Sequence, residues 1–251
     1  MIERIFVEVD NIKISILKGK DRGVFYVHSS GSDATQWKEQ IEEVGGYAID
    51  LPNHGESDKA EVNSVDDYAH YVAEAVKKTV GKAVLVGHSL GGAVVQKVYL
   101  NDPELCKALV LVGTGARLRV LPDILEGLKK EPEKAVDLIL EMGFAKRGEE
   151  YEKKRREFLE RAEVLHLDLS LCDRFDLLED YREGRVKIDV PTLIVVGEKD
   201  KLTPVKYAEF FHRYISNSKL VIIKEASHMV MIEKPDEFNR ALEEFLKEIN
   251  V

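Results

Sequence analysis

The sequence predicts an α/β fold, in which a mostly parallel eight-stranded sheet is flanked by helices and carries an inserted helical cap. Two observations lead to this prediction. Apolar strand-like runs alternate with helical segments over residues 24–113 and again over residues 191–249, which is typical of a parallel sheet with helices on both faces. Between these stretches, residues 118–187 contain helical segments and no convincing strand.

The chain opens with a predicted β-hairpin. Ile2–Val9 and Ile12–Leu17 alternate apolar and polar residues, and the Asp10-Asn11 pair between them is a turn signal. The other six predicted strands are short runs that are mostly apolar, as expected of strands buried on both faces. They are Val24–Val27, Tyr47–Asp50, Ala83–Gly87, Ala108–Gly113, Pro191–Val196 and Lys219–Ile223.

Four helices are predicted between and after these strands. They are Val65–Thr79, for which Ser64 is the predicted cap, Leu90–Asn101, Val205–Tyr214 and Pro235–Ile249. We therefore expect one core domain, formed by residues 1–117 and 188–251, and a helical cap formed by residues 118–187. Proline and glycine residues divide this cap into several helices.

The composition excludes several classes of protein. The 37 basic and 46 acidic residues give a net charge of −9, which argues against nucleic-acid binding. No apolar run is long enough to span a membrane, and the N-terminus lacks the pattern of a secretion signal. We therefore expect a cytoplasmic protein without a stable membrane anchor. Charged residues reach 33%, mostly Glu and Lys, and glutamine is scarce, which favours a heat-adapted source.

Residues 87–92, GHSLGG, form the strongest local motif. They contain the pattern G-x-S-x-G, preceded by a predicted strand and followed by a predicted helix. In such a sharp turn, glycines leave room for the neighbouring backbone, and the serine hydroxyl is exposed at the N-terminus of the helix. The helix dipole and free N–H groups there favour a developing oxyanion. The motif predicts Ser89 as a nucleophile.

A serine hydroxyl needs a base, and the base needs an orienting acid. His228 is the best candidate among seven histidines, because it follows the last predicted strand, where the catalytic groups of an open α/β sheet collect. Asp200 follows the strand before it and reaches the same edge. Glu198 is the alternative acid, two residues closer to the end of that strand.

These segments resemble the α/β-hydrolase superfamily over nearly the full length of the chain. The order Ser…Asp…His is the order of that family. Residues 50–57, DLPNHGES, are similar to its D-x-x-G-H-G-x-S loop, with Asn53 where glycine is usual. Residues 191–200 and 227–229 resemble its acid and histidine segments. The resemblance also implies that the helical insertion covers the active site.

The resemblance implies an oxyanion hole as well. The family often carries His-Gly and then the donating residue after its third strand, and this chain has HSSGS at residues 28–32. By position, Ser30 would supply one backbone N–H and Leu90 the other. Since serine replaces the usual glycine, Ser29 stays an alternative to Ser30. We expect His28 to be structural.

Four residues are candidates to line a substrate pocket. They are Trp37, Leu121, Leu125 and His166. For Trp37 the alternative is packing against a helix, and for the three cap residues it is packing within the cap or exposure to solvent.

The resemblance implies a serine hydrolase that cleaves carboxylic esters with apolar acyl or alcohol groups through an acyl-enzyme. Its partner would be a small-molecule ester, and no cofactor or metal is expected. The two cysteines, Cys106 and Cys172, lie outside any metal-ligand spacing. Two alternatives stay open. The same triad could act on a thioester, lactone, C–C bond or peptide-like substrate, or form a peracid. The fold could instead serve a low-turnover ligand-binding receptor. The oligomeric state is left open.

Overall fold

The computed structural model describes residues 1–251 and places eight strands in one sheet. The strands are β1 (Glu3–Val9), β2 (Ile12–Lys18), β3 (Val24–Val27), β4 (Tyr47–Ile49), β5 (Ala83–His88), β6 (Cys106–Val112), β7 (Thr192–Gly197) and β8 (Ser218–Ile223). Their order across the sheet is β1-β2-β4-β3-β5-β6-β7-β8. The pairs β1·β2 and β2·β4 are antiparallel, and the other neighbours are parallel. The predicted fold class is confirmed.

Eleven helices accompany the sheet. They are α1 (Lys38–Glu43), α2 (Val65–Lys78), α3 (Leu90–Asn101), α4 (Pro122–Lys130), α5 (Pro132–Gly143), α6 (Glu149–Glu160), α7 (Ala162–Arg174), α8 (Leu178–Arg182), α9 (Val205–Tyr214), α10 (Val230–Glu233) and α11 (Pro235–Glu248). The sequence prediction missed α1 and α10, because helices of six and four residues are too short to show an apolar period. None of the helices combines the length and apolar character needed to cross a lipid bilayer.

Local sequence signals account for the turn between β1 and β2 and for the start of α2. Asp10 and Asn11 both have positive φ, 51° and 62°, as the tight turn of a two-residue hairpin requires. The Ser64 side chain accepts a hydrogen bond from the Asp67 N–H, and the Asp67 carboxylate accepts one from the Ser64 N–H. This capping box pairs two backbone groups that the start of α2 would otherwise leave without partners.

Two apolar layers cover the faces of the sheet. Alternate residues of each parallel strand point to opposite faces, so Phe25 and Leu85 belong to one layer and Tyr26 and Val86 to the other. Helices α2, α3 and α9 complete the first layer, and α1 and α11 complete the second. With both faces covered, the strands are almost continuously buried.

The parallel register brings the carboxyl ends of six strands, β3 to β8, to one edge of the sheet. Val27 pairs with Gly87, Val112 pairs with both His88 and Val195, and Gly197 pairs with Ile223. The loops that follow β3, β4, β5, β7 and β8 therefore leave from the same edge. Side chains far apart in sequence can meet there.

Helices α4 to α8 form the insertion between β6 and β7. Side chains of α4, α5, α6 and α7 share a small apolar cluster of their own, which also takes in Met229 beside the last strand. The helical character expected for residues 118–187 agrees with this structure, and the division into a core domain and a cap stays a prediction.

We predict that Ser64→Ala lowers the free energy of unfolding by about 1 kcal/mol, because the substitution removes the side chain that caps α2. Denaturant titration followed by circular dichroism measures this change. Lys59→Ala is the control, since that exposed residue is about neutral. Equal stability of the two variants would contradict the prediction.

Candidate active site

Ser89 lies at the turn between β5 and α3 in a strained backbone conformation, with φ 55° and ψ −114°. Few non-glycine residues adopt such a conformation, and it persists where the surroundings enforce it. Its N–H donates to the Val112 carbonyl (3.0 Å), and its own carbonyl accepts from Thr114 Oγ1 (2.8 Å). These two bonds to β6 and the loop after it hold the turn from both sides.

The glycines around Ser89 are required by close backbone contacts. A Cβ on Gly87 would collide with the carbonyl of Gly91, and one on Gly91 would collide with the carbonyl of Val27. Gly92 lies against the side chain of Thr114. The strand, the turn and the helix can therefore approach one another this closely only without side chains at these positions.

His228 and Asp200 form a buried pair. His228 Nδ1 lies 2.9 Å from Asp200 Oδ2, and both side chains are almost inaccessible to solvent. The Asp200 carboxylate also accepts from the N–H groups of Leu202 and Thr203 and from Thr203 Oγ1. These donors fix the carboxylate, so it can orient the imidazole with its proton on Nδ1 and leave Nε2 free to accept one.

Glu198, the alternative acid, points elsewhere. It is exposed, and its carboxylate accepts from the Glu225 N–H at 3.1 Å. It makes no hydrogen bond with His228. The geometry thus favours Asp200 for a physical reason. The chain turns after Gly197, so the Asp200 carboxylate lies next to Nδ1 of His228, and Glu198 lies at the surface.

Ser89 and His228 line one pocket, although no hydrogen bond joins them in this structure. His228 Nε2 has no partner within the chain, and catalytic hydrogen bonds are often long before a substrate binds. The backbone of His228 is nevertheless firmly held. Its N–H donates to the Gly143 carbonyl (3.0 Å), and its carbonyl accepts from His88 Nε2 (2.8 Å).

His88 links this site to the loop after β3. Gln36 Nε2 donates to His88 Nδ1 (3.0 Å), and Gln36 Oε1 accepts from the N–H and the hydroxyl of Ser29. Burial, together with the nearby His228, lowers the pKa of His88 well below its usual value. A neutral ring is what this arrangement needs, with one nitrogen donating and the other accepting.

The backbone at residues 29–31 distinguishes the candidate oxyanion donors. Ser29 uses its N–H to bind Gln36 Oε1, at 3.3 Å. Gly31 uses its N–H to bind Asp168 Oδ2, at 2.8 Å. The N–H of Ser30 donates to no group of the chain, and Ser30 lines the pocket beside Ser89. This arrangement favours Ser30 over Ser29.

The N–H of Leu90 belongs to the first residue of α3, where no carbonyl of the helix can accept it. The helix dipole adds partial positive charge at this end. Two N–H groups, those of Ser30 and Leu90, are therefore without partners next to Ser89. Free N–H groups of this kind are what an oxyanion on a substrate carbonyl requires.

His28 acts within the backbone of its loop, as expected. Its Nδ1 donates to the Ser29 carbonyl (2.8 Å), and its Nε2 accepts from the Leu51 N–H (3.1 Å). Burial, followed by the neighbouring His54, lowers the pKa of His28 to about 4. It is a neutral structural residue.

The pocket above Ser89 has a volume of about 370 Å³. Its apolar wall comes mainly from the insertion and from the loops after β7 and β8. The wall includes Leu118, Val120, Leu121, Ile124, Ile139, Met142, Phe158, Leu165, Leu169, Leu202 and Met229. Its charged residues are Arg119, Lys201 and Lys206, and no carboxylate lines it.

Of the four predicted pocket residues, the structure places Leu121 at the pocket and three elsewhere. Trp37 is wholly buried, with its ring 5.2 Å from that of Tyr26 and 6.0 Å from that of Phe238, so the packing alternative is correct. The predictions for Leu125 and His166 were wrong as well. Their neighbours Ile124 and Leu165 line the pocket instead. A shift of one residue turns a helix by about 100°, and sequence periodicity does not fix that rotation.

Sequence reasoning missed three polar residues around this site: Gln36, His54 and Asp168. Gln36 connects Ser29 to His88, and Asp168 of α7 is buried against His54 and Gly31. His54 belongs to the segment that resembles the family loop, which was a usable signal. Gln36 and Asp168 lie in stretches without a motif.

Three comparisons with known proteins agree with this fold. A model of the alpha/beta hydrolase family matches residues 24–241. A pimeloyl-[acyl-carrier protein] methyl ester esterase of Neisseria meningitidis serogroup C is 30% identical over 221 residues, which cover 80% of this chain and 82% of that protein. The solved structure of a thermophilic esterase is 73% identical, with a TM-score of 0.98 and 99% of both chains covered. A thermophilic esterase from Thermogutta terrifontis is 24% identical, with a TM-score of 0.84 over 99% of this chain and 100% of that one, and shows the same fold.

We predict that Asp200→Asn lowers kcat for ester hydrolysis by about 10⁴-fold, because an amide at this position favours the wrong tautomer of His228. Glu198→Gln is the matched control, since it changes an exposed carboxylate in the same loop and should leave kcat within about twofold. Steady-state kinetics of both variants decides the assignment. A larger loss in Glu198→Gln would reverse it.

Proposed function

Because the chain belongs to the alpha/beta hydrolase family, we propose that it is a serine hydrolase of carboxylic esters. Ser89 is the nucleophile, His228 the base and Asp200 the orienting acid. One observation carries the proposal: the strained Ser89 opens onto a pocket that it shares with His228, whose Nδ1 is bonded to the buried Asp200. The relatives named as esterases support the reaction class.

The reaction begins when Ser89 Oγ attacks the ester carbonyl while His228 Nε2 takes the hydroxyl proton. The carbonyl oxygen becomes an oxyanion, which accepts hydrogen bonds from the N–H groups of Ser30 and Leu90. His228 then gives its proton to the departing alcohol as the C–O bond breaks, leaving an acyl-enzyme. Water repeats the sequence and releases the acid. Asp200 stabilises the imidazolium in both halves.

Preorganisation of the donors accounts for much of the expected acceleration. Each oxyanion donor is worth about 3 kcal/mol in a comparable hydrolase. The Ser30 and Leu90 N–H groups are held in place before substrate arrives, because the backbone on both sides is already bonded. These two donors therefore do not have to move during the reaction.

The apolar wall supports an ester with an apolar acyl or alcohol group. Eleven aliphatic, aromatic or thioether side chains surround the space above Ser89, and such a surface gains free energy by excluding water from a similar group. In this proposal, residues 118–187 act as a cap that supplies most of that wall. The charged composition and the 73% identical thermophilic esterase support a heat-adapted source.

We predict that Ser89→Ala lowers kcat for p-nitrophenyl butyrate by about 10⁶-fold. The substitution removes the nucleophile, and His228 then has no hydroxyl proton to take. The control is Ser170→Ala, since that hydroxyl bonds to a carbonyl of its own helix, α7, and does not line the pocket. Release of p-nitrophenolate measures both variants. Undiminished hydrolysis by Ser89→Ala would refute the proposed function.

A second candidate, within the same reaction, is an ester whose acyl or alcohol part carries a negative charge. Lys201 and Lys206 line the pocket without an ion-pair partner, and Arg119 lies nearby with its partner Asp173. An anion would be attracted there in a chain that is otherwise strongly acidic.

We predict that the double variant Lys201→Gln/Lys206→Gln raises KM for a monomethyl dicarboxylate by about 2- to 30-fold, since each of the two exposed pairs contributes about 0.2–1 kcal/mol. KM for a neutral methyl ester of equal length should stay unchanged, and added salt should reduce the difference. Lys59→Gln/Lys247→Gln removes the same charge from exposed sites outside the pocket. An equal effect of the two double variants would exclude this candidate.

A further inference from the structure

Asp168 of α7 is a carboxylate with no access to solvent. Oδ2 lies 2.7 Å from His54 Nε2 and accepts from the Gly31 N–H at 2.8 Å, and Oδ1 accepts from the Tyr68 hydroxyl at 2.7 Å. The three donors come from the loop after β4, the loop after β3 and helix α2. One side chain of the insertion thus joins three segments of the core beneath the pocket.

The contacts of His54 show that it is an imidazolium. Nε2 faces the Asp168 carboxylate, and Nδ1 faces the Pro52 carbonyl at 2.9 Å. Both partners are acceptors, so both ring nitrogens must carry a proton. Burial alone would lower the pKa of His54, but the Asp168 charge, its hydrogen bond and the Pro52 carbonyl outweigh burial and raise it.

The Asp168 contact is next to the candidate oxyanion donor. The Ser32 N–H donates to the Ser29 carbonyl, which closes a turn with Ser30 and Gly31 at its corners. Gly31 has φ +66°, as the third residue of a type II turn does. The Ser29 and Gly31 N–H groups are tied to Gln36 and Asp168, and the Ser30 N–H between them is left for a ligand.

A buried ion pair is a weak source of stability, because desolvating two charges costs about as much as their attraction returns. Simple attachment of α7 to the core could use apolar contacts, as Leu171 and Cys172 of that helix do. A charged acceptor on the Gly31 N–H does something that apolar packing cannot do, since it fixes the direction of a peptide group. That difference separates a positioning role from a merely structural one.

We propose that Asp168, charged through its pairing with His54, is a positioning residue for ester hydrolysis that holds the turn at residues 29–32 with the Ser30 N–H directed at the oxyanion. The role rests on the proposed function. It makes the insertion part of the catalytic geometry and not just a wall of the substrate pocket. Asp168 touches neither the substrate nor the reacting atoms, so it acts through the turn.

The test compares Asp168→Asn with Tyr181→Phe. Each variant weakens a buried hydrogen bond between the insertion and the core, Asp168→Asn by removing a charge and Tyr181→Phe by removing a hydroxyl. The Tyr181 hydroxyl, however, bonds to Gln96 on α3 and does not reach the turn. For Asp168→Asn we expect kcat for p-nitrophenyl butyrate to fall by about 10- to 100-fold, with KM within about threefold. The upper end of this range approaches the loss caused by removing an oxyanion donor altogether. The inhibition constant of a trifluoromethyl ketone, whose adduct with Ser89 carries an oxyanion, should rise in parallel. Tyr181→Phe should change none of the three.

A pH profile of kcat gives a readout that a merely structural role would not move. The groups facing the His54 ring are His28 just after β3 (ring centroids 4.8 Å apart), Tyr68 of α2 (6.0 Å) and Asp168 of α7. The more distant Arg161 lowers the pKa of His54. Because the folded pKa of His54 is raised, its contribution is present at lower pH and lost as pH rises through that pKa. The wild-type profile should therefore contain an alkaline limb that His54→Gln removes. This variant also serves if Asp168→Asn does not fold.

Each outcome has one meaning when Ser89→Ala is measured alongside. If Ser89→Ala retains activity, the proposed function fails, and the positioning role fails with it. If Ser89→Ala is inactive but Asp168→Asn keeps full kcat and full affinity for the ketone, only the positioning role is overturned. A loss in kcat of the same size in Tyr181→Phe would also overturn it, since any weakening of the attachment would then suffice.

Discussion

The close approach of β5 and α3 around Ser89 is the constraint on which the site depends. Gly87 and Gly91 allow backbone to pass where no Cβ would fit, and Gly92 leaves room for the Thr114 side chain. The residue between strand and helix is forced to φ 55°. That strain persists because β6 holds the turn through the N–H of Ser89. The backbone that carries the Ser89 side chain is therefore fixed at this edge of the sheet.

Polar groups that are buried around this turn satisfy one another with few exceptions, which is what makes the edge rigid. A chain of hydrogen bonds runs from Ser29 through Gln36 and His88 to the carbonyl of His228, so the turn at residues 29–32 and His228 are tied together. The insertion forms hydrogen bonds at both ends of this series of bonds. Gly143 of α5 accepts from the N–H of His228, and Asp168 of α7 accepts from the turn. A segment inserted between β6 and β7 thus positions residues on either side of it in sequence.

The sequence predicted the elements whose signals are local. All eight strands and the helices α2, α3, α9 and α11 were expected within about two residues of their ends. The hairpin turn at Asp10-Asn11 and the cap at Ser64 follow from the preferences of individual residues, which need no distant partner. The short helices α1 and α10 were missed because six and four residues carry no period, and tertiary packing stabilises them instead.

The sequence by itself therefore determined the fold class, the order of the elements, and Ser89 and His228 as members of the candidate triad, with Asp200 or Glu198 as its acid. Each of these follows from a local pattern combined with the rule that parallel strands end at one edge. Only the tertiary structure shows that the Ser29 N–H is bonded to Gln36 and that Asp200, not Glu198, lies beside His228. It also places Trp37 in the core and brings Asp168 to the turn. The reason is physical. Which N–H is left unbonded, which face of a helix meets the pocket and which carboxylate is buried all depend on contacts between segments far apart in the chain, and such contacts leave no pattern in any single stretch of it.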